Sequence, residues 1–580
     1  MRHVSKLLLL LVVLLTSCKE AKENTTETLK QTAVADFYKL QQTLYYGGDI
    51  ITMAGEKPTY VEAVVQREGK IIFTGSKADA FARFEGKVAR VDLQGKTMLP
   101  GFIDAHAHFS NFSSQAIGAQ ILPPPDAGAN NMNAIINILK EWNTPENRAL
   151  TGWIFGAGFD DSVLEEKRFP TKHELDQVST EFPIMIIHIS GHFAVVNSKG
   201  LELLKITSET KNPEGGLIRR ENGNEPNGVL EELAAIPYYA KALTPQTKEA
   251  SETFFESGQS MALSYGYTTA QEGRAMLENH AFLAGKAEEN KLKLDVVSYV
   301  DYMFVDTLMH TKWNSKKYDK KYRIGGMKLT LDGSPQGRTA WRTQPYLLPP
   351  DGAKKGYLGY PAIPQDSVLA SLYRKAFANN WQIQTHANGD AAMDQMIRTM
   401  RKVSSEFEKK DRRNVLIHGQ YVREDQLDAF KELDVIASLF PLHTFYWGDW
   451  HKEIIGNELG NKISPTRTAL NKGLRITIHT DAPVALPNLM RMVGITVERK
   501  SRSGKLIGAG EKLTPYEALK GITEWSAYQH FEENNKGTIE TGKLADLVIL
   551  DKNPLKVKEE DIKNIIVLET IKEGVSVYKK

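Results

Sequence analysis

The sequence predicts an α/β chain built on a parallel (β/α)8 barrel, and three observations point there. Apolar, strand-like runs alternate with helical stretches through the middle of the chain, the pattern of a parallel β/α fold. Eight such runs can be counted, the number that closes a barrel. Several end on or near histidine, lysine or aspartate, and a barrel builds its active site from the C-terminal ends of its strands.

The N-terminus has a different character. Arg2 and Lys6 precede an apolar run from Leu7 to Leu15, followed by Thr16-Ser17-Cys18, which predicts a secretory signal over residues 1–17 that is too short to span a bilayer. Leu15-Thr16-Ser17-Cys18 also resembles a bacterial lipobox, which implies acylation of Cys18 and a lipid anchor at the periplasmic or outer-membrane face of the cell envelope. Each buried methylene of an acyl chain adds roughly 0.8 kcal/mol of membrane affinity, so two or more chains hold firmly. An ordinary signal peptide with an incidental cysteine is the plainer alternative. Cys18 is the only cysteine, so an intrachain disulfide and a cysteine-based metal site are both excluded. The stretch that follows, KEAKENTTETLKQTAVADFY, is polar and reads as a tether over residues 18–40, with a reach of roughly 25 Å as a flexible coil.

The rest has ordinary globular composition, with 41% hydrophobic and 25% charged residues. Loss of residues 1–17 takes the formal charge from +2 to 0, which speaks against nucleic acid or another polyanion as partner. The partners expected are a small-molecule substrate, the membrane through Cys18, and a second copy if the chain forms a homo-oligomer.

Short strands recur at both ends. TLYYGGDIITM, YVEAVVQREGKIIFTGS and KVARVDL lie within residues 41–97, while KGTIETGKLADLVILDK and IIVLETIKEGVSVYK fill residues 536–580. Neither group alone offers enough face to bury, so one small β-sandwich assembled from both ends is expected. Between them, residues 98–535 carry the TIM-like barrel runs: MLPGFIDAH ending at His106, GYTTAQ from 266, LDVVSYV from 294, MKLTLDG from 327, WQIQTHA from 381, NVLIHG from 414, DVIASLF from 434 and RITIHTD from 475. Roughly 150 residues separate the first run from the second, far beyond an ordinary loop, which predicts an insertion over about residues 110–260.

Residues two apart in a strand share a face, so His106 and His108 are expected to point together into the barrel mouth. A His-x-His pair by itself is a weak signal. Lys328, His386, His418 and Asp481 fall at the ends of later runs, and it is their joint placement that predicts a site. Four imidazoles and a carboxylate suit zinc or a related borderline divalent cation.

The segments LPGFIDAHAHF, KLTLDGSPQGRTA, THANGDAAMD, VLIHGQ, TDAPV and GTIETGKLADLVILDKNP resemble the motif series of the amidohydrolase superfamily. The nearest resemblance is to amidohydrolase family 3, in its YtcJ-like or N-substituted formamide deformylase-like branch, and runs from about Thr43 to the end. FPIMIIHISGHFAVVNSKGL and GGLIRRENGNEPNGVLEE in the insertion resemble the same branch. The resemblance implies one or two ions: His106 and His108 on the more buried one, His386 and His418 on the second, Asp481 beside the attacking water, and Lys328 carboxylated as a bridge. An unmodified Lys328 in a salt bridge or against substrate is the alternative. Two departures stand out: His479-Thr480 precedes Asp481 where small residues are usual, and Asn388 precedes Gly389-Asp390. His479 is expected to support a ligand rather than to be one, and Asp104 to accept hydrogen bonds near the mouth.

Weaker candidates for substrate contact are His192 in the insertion, Gln271 and Glu272 after the second run, and Trp341, with Trp447 and Trp450 as further walls. The expected activity is hydrolysis of an amide-type carbon–nitrogen bond in a small molecule. Lactone or cyclic amide hydrolysis at the same site, and a lipoprotein that binds ligand without catalysis, are the rival readings.

Overall fold

The computed structural model describes residues 42–86, 88–213, 216–350 and 353–580; the expected signal peptide, Cys18 and the tether lie outside the described residues. Eight strands form one curled parallel sheet in strict chain order: Phe102–Ile103, Tyr267–Ala275, Asp295–Asp301, Tyr322–Thr330, Gln382–Ala387, Val415–His418, Ile436–Leu439 and Ile476–Ile478. Each pairs in parallel with the one before it. Residues Asp295–Asp301 are buried throughout, as parallel strands packed on both faces must be. Beyond the last strand, Asp481 N–H donates to His106 O at 3.1 Å and His108 N–H to Ala482 O at 2.8 Å, so the chain after strand eight is stitched to the chain after strand one. Those two bonds close the rim where the candidate ligands stand.

The first expected strand is divided. Thr97–Pro100 pairs antiparallel with Leu547–Leu550 in a different sheet, and only Phe102–Ile103 joins the barrel. Gly101 is the break: a Cβ there would meet Thr268 Cγ2 at 2.3 Å, so only glycine lets the two strands approach. The second strand is longer than expected and contains Gln271 and Glu272, which therefore do not follow it. The fourth begins at Tyr322, five residues before the expected Met327.

Strands from both chain ends share one sheet, in the order Val575–Lys579, Val567–Lys572, Leu547–Leu550, Thr97–Pro100, Gln42–Ile51, Tyr60–Arg67, Lys70–Gly75, with Val88–Asp92 alongside Gln42–Ile51. A third sheet, of six strands between Ala119 and Glu232, falls in the chain between barrel strands one and two. Among the described residues no helix is long and apolar enough to cross a membrane.

Barrel and end sheet are tied by buried charge. Lys572 Nζ lies 2.9 Å from Asp295 Oδ2 and 3.0 Å from Asp546 Oδ2, while Lys536 Nζ reaches the same Asp295 oxygen at 2.5 Å and Glu532 at 2.6 Å. Burial opposes the charge on Lys572, yet Asp295 and Asp546 hold its pKa above the ordinary lysine value. Removing one partner of such a group strands the others in a dry interior, at a cost of about 3–5 kcal/mol. Lys572→Met is therefore expected to lower unfolding stability by about that amount; an unchanged urea midpoint would show that the cluster does not brace the two sheets.

Candidate metal centre

The strand ends deliver their side chains to one buried cluster. His106 is buried, and its Nδ1 lies 2.6 Å from Gln271 Oε1, which leaves Nε2 directed at Lys328 Nζ (3.1 Å) and Asp481 Oδ1 (3.5 Å). Gln271 Nε2 in turn donates to Ala105 O at 2.6 Å, so the amide is locked and sets which face of the imidazole is offered. His108 Nε2 stands 3.4 Å from the same Asp481 oxygen, and His418 Nε2 3.9 Å from the other. One ligand atom each from His106, His418 and Asp481 lie within 4.8 Å of one another. Asp481 Oδ1 is buried and accepts no hydrogen bond. An orphaned carboxylate oxygen facing two imidazole nitrogens fits a divalent cation with mixed nitrogen and oxygen ligands.

His418 and Asp481 both hold positive φ, 74° and 53°. Neither is glycine, and such strain gathers at functional positions because the surrounding structure must enforce it. Burial, joined by the charge of Lys328 and by neighbouring imidazoles, pushes the pKa of His106 well below the usual value; burial and the neighbouring His386 and His479 do the same at His418. Both rings are therefore neutral at moderate pH, the form that offers a lone pair to a metal. Burial also lowers Lys328 to about 7, against the pull of Asp481, so a neutral amine is available there.

His386 stands slightly apart. Its ring meets that of His418 edge-on at 4.6 Å, but its Nε2 faces Gly333 O at 3.3 Å and Asn388 Nδ2 at 3.1 Å. His479 does not enter the cluster's centre: its Nε2 lies 3.1 Å from His418 Nδ1 and its Nδ1 2.9 Å from Ser438 Oγ, a chain that orients His418. Asp104 accepts from Tyr267 Oη at 2.7 Å and from the Thr480 hydroxyl, bracing the strands under the mouth, and burial raises it to about 6.

Of the weaker candidates, His192 adds to the burial and the Lys328 charge that hold the pKa of His386 well below the usual value. Glu272 Oε2 accepts the Ser110 N–H at 2.8 Å and so holds the chain after His108. Trp341 is half-buried and its backbone N–H donates to Asp332 Oδ2 at 3.0 Å. Trp447 donates to Asp160 Oδ2 at 3.3 Å and Trp450 to Gln336 O at 3.2 Å, contacts that join loops to one another.

Sequence reasoning passed over Asp332. It is buried, accepts the N–H groups of Trp341, Asn388 (2.9 Å) and Gly389 (2.7 Å), and lies 3.5 Å from His386 Nε2; burial raises it to about 7. Its place in KLTLDG, just past strand four, was the available signal.

Comparison with known proteins shows which family the chain resembles as a whole. Residues 89–578 match the amidohydrolase family. The chain is 26% identical over 558 residues to YtcJ of Bacillus subtilis (strain 168), which carries an amidohydrolase name, covering 93% of this chain and all (100%) of that one. It is 25% identical to the N-substituted formamide deformylase of Arthrobacter pascens over 552 residues, 90% of this chain and 95% of the relative. Among solved structures, an uncharacterized metal-dependent hydrolase from Pyrococcus horikoshii OT3 superimposes with a TM-score of 0.70 at 25% identity, over 90% of this chain and 99% of that one.

Proposed function

The chain belongs to the amidohydrolase family, a hydrolase of non-peptide carbon–nitrogen bonds, and from that premise we propose that it cleaves an amide-type bond in a small molecule at a divalent metal centre. What supports the reading most directly is Asp481 Oδ1, buried without a hydrogen bond between the Nε2 atoms of His106 and His108. His106 and His108 would hold the more buried ion, His386 and His418 a second, with zinc as the cation that suits the donors. Lys328, once carboxylated on its neutral amine, would supply anionic oxygens to both. When bound, the metal acidifies a water and polarises the scissile carbonyl.

The chain's own residues do the rest. Asp481 accepts the proton of the attacking water and returns it to the leaving nitrogen, general acid–base work typical of a carboxylate in this setting. Gln271 and His479 keep the imidazoles in the tautomer and orientation that expose the correct nitrogen. His192, Glu272 and Trp341 are proposed to contact substrate. The two-ended sheet, read as a small β-sandwich, and the insertion after barrel strand one serve as a support and a cap.

Metal analysis of the purified chain with a panel of N-formyl, N-acyl, cyclic amide and lactone substrates tests this. The expected result is one or two equivalents of metal and hydrolysis of an acyclic amide that stops on chelation. Stoichiometric metal with no turnover on any substrate would favour a non-catalytic binding lipoprotein, and preference for a ring substrate would move the assignment to lactones or cyclic amides.

Residues 1–17 and Cys18 are proposed as a cleaved lipoprotein signal and its acylation site, placing the enzyme on the cell envelope. Cys18→Ala is expected to abolish labelling by a radioactive or alkynyl fatty acid and to move the protein from the membrane fraction to the soluble one; retained labelling would refute the anchor.

A further inference from the structure

Arg274 is the next-to-last residue of barrel strand two, Tyr267–Ala275, at the end of the barrel where active sites are built. The residue before it, Gly273, has no room for a side chain, because a Cβ there would stand 2.2 Å from His106 Cε1. Arg274 thus leaves its strand one position beyond a residue packed on a candidate metal ligand. Its Nε donates to Asp301 Oδ2 at 2.7 Å, and among the described residues Nη1 and Nη2 donate to nothing. The Arg274 side chain is 44% exposed, against 1% for Asp301, so the free edge of the guanidinium is open to an incoming molecule.

Asp301 ends barrel strand three and pairs in register with Lys328 on strand four, whose Nζ lies 3.1 Å from His106 Nε2. Register partners on neighbouring parallel strands face the same side of the sheet, so the Asp301 carboxylate enters the mouth beside Lys328 and brings the Arg274 guanidinium with it. Asp301 is itself fixed, since its Oδ1 accepts the Met303 N–H at 3.0 Å. Burial is the main cause of the low pKa of both Lys328 and His386, and the positive charge of Arg274 lowers each further.

A guanidinium held through Nε cannot swing away, and it keeps its Nη1–Nη2 edge for a second partner. Two parallel N–H donors match a carboxylate bidentately. With Asp301 already on Nε, a single negative charge suits that edge better than a dianion. We propose that Arg274 determines specificity by binding a carboxylate of the substrate, which makes the substrate an N-acyl amino acid or another small amide that carries a carboxylate. The inference rests on the hydrolase reading above and adds the substrate class to it.

The test compares kcat and KM of the metal-loaded full chain on N-formylleucine and on N-isopentylformamide, which lacks only the carboxylate. The acid is expected to be preferred at least about tenfold in kcat/KM, the lower end of what hydrogen bonds to a charged group supply. Arg274→Met is expected to erase that preference, chiefly by raising KM for the acid. Arg274→Lys keeps a cation for Asp301 but lacks the fork; it is expected to lose most of the preference too, and decides the matter should Arg274→Met not fold. Equal or better hydrolysis of the neutral formamide, or an undiminished preference for the acid in the folded variants, would overturn the inference and leave the hydrolase reading standing. Hydrolysis of neither compound would count against the hydrolase reading instead, and calorimetry of N-formylleucine then judges Arg274: binding that weakens at least about tenfold in the variants supports the carboxylate site, and absent or unchanged binding overturns it.

Discussion

Asp481→Asn is expected to lower kcat by about a hundredfold to ten-thousandfold, the range that general acid–base catalysis contributes, while much of the metal stays bound. The substitution keeps the side chain's shape and the backbone bond from Asp481 N–H to His106 O, so the left-handed turn at φ 53° has no reason to relax. What it removes is the anionic acceptor now facing His106 and His108 without any hydrogen bond to Oδ1. A neutral amide can neither hold the water's proton nor return it to nitrogen. The imidazoles remain, so metal measured by mass spectrometry should fall far less than turnover does. Near-parental kcat in the purified variant would remove Asp481 from the chemistry.

Gly273→Ala is expected to cost at least about a hundredfold in kcat/KM, since an ångström of misplacement in a reacting constellation has that effect. A Cβ at this position would stand 2.2 Å from His106 Cε1 and 2.6 Å from its Nδ1, with Ala107 O at 2.9 Å. The ring cannot stay on Gln271 under that pressure, and its Nε2 would swing away from Lys328 and Asp481. Here metal content should fall together with activity, which separates this variant from Asp481→Asn, while far-ultraviolet circular dichroism stays near the parental spectrum. Full metal and full activity in Gly273→Ala would mean that the His106 orientation seen here is not the working one.

Much of the fold could be read along the chain because burial imprints itself locally. A parallel strand covered on both faces appears as a short apolar run, and all eight expected runs carry a barrel strand, from Phe102–Ile103 to Ile476–Ile478. Where expectation and structure part, the reason is an interaction that periodicity does not encode. In the run before His106 Pro100-Gly101 marks a break, but nothing local announces that Thr97–Pro100 answers to Leu547–Leu550 and only Phe102–Ile103 to the barrel. Glu272, expected after its strand, lies inside it and is held there by the Ser110 N–H. Asp332 escaped notice because a carboxylate past a strand end is ordinary until three backbone N–H groups are seen to close on it.

The sequence by itself determined the parallel sheet, the contribution of both ends, the long insertion and the residue types at the strand ends, since each follows from the spacing of apolar, polar and turn-forming side chains. Only the tertiary structure decided which nitrogen of His106 faces inward, that His479 serves His418 and that Gly273 must lack a side chain. Those facts depend on distances of a few ångströms between residues far apart in the chain, and such distances exist only once the sheet has curled and its rim has been drawn together.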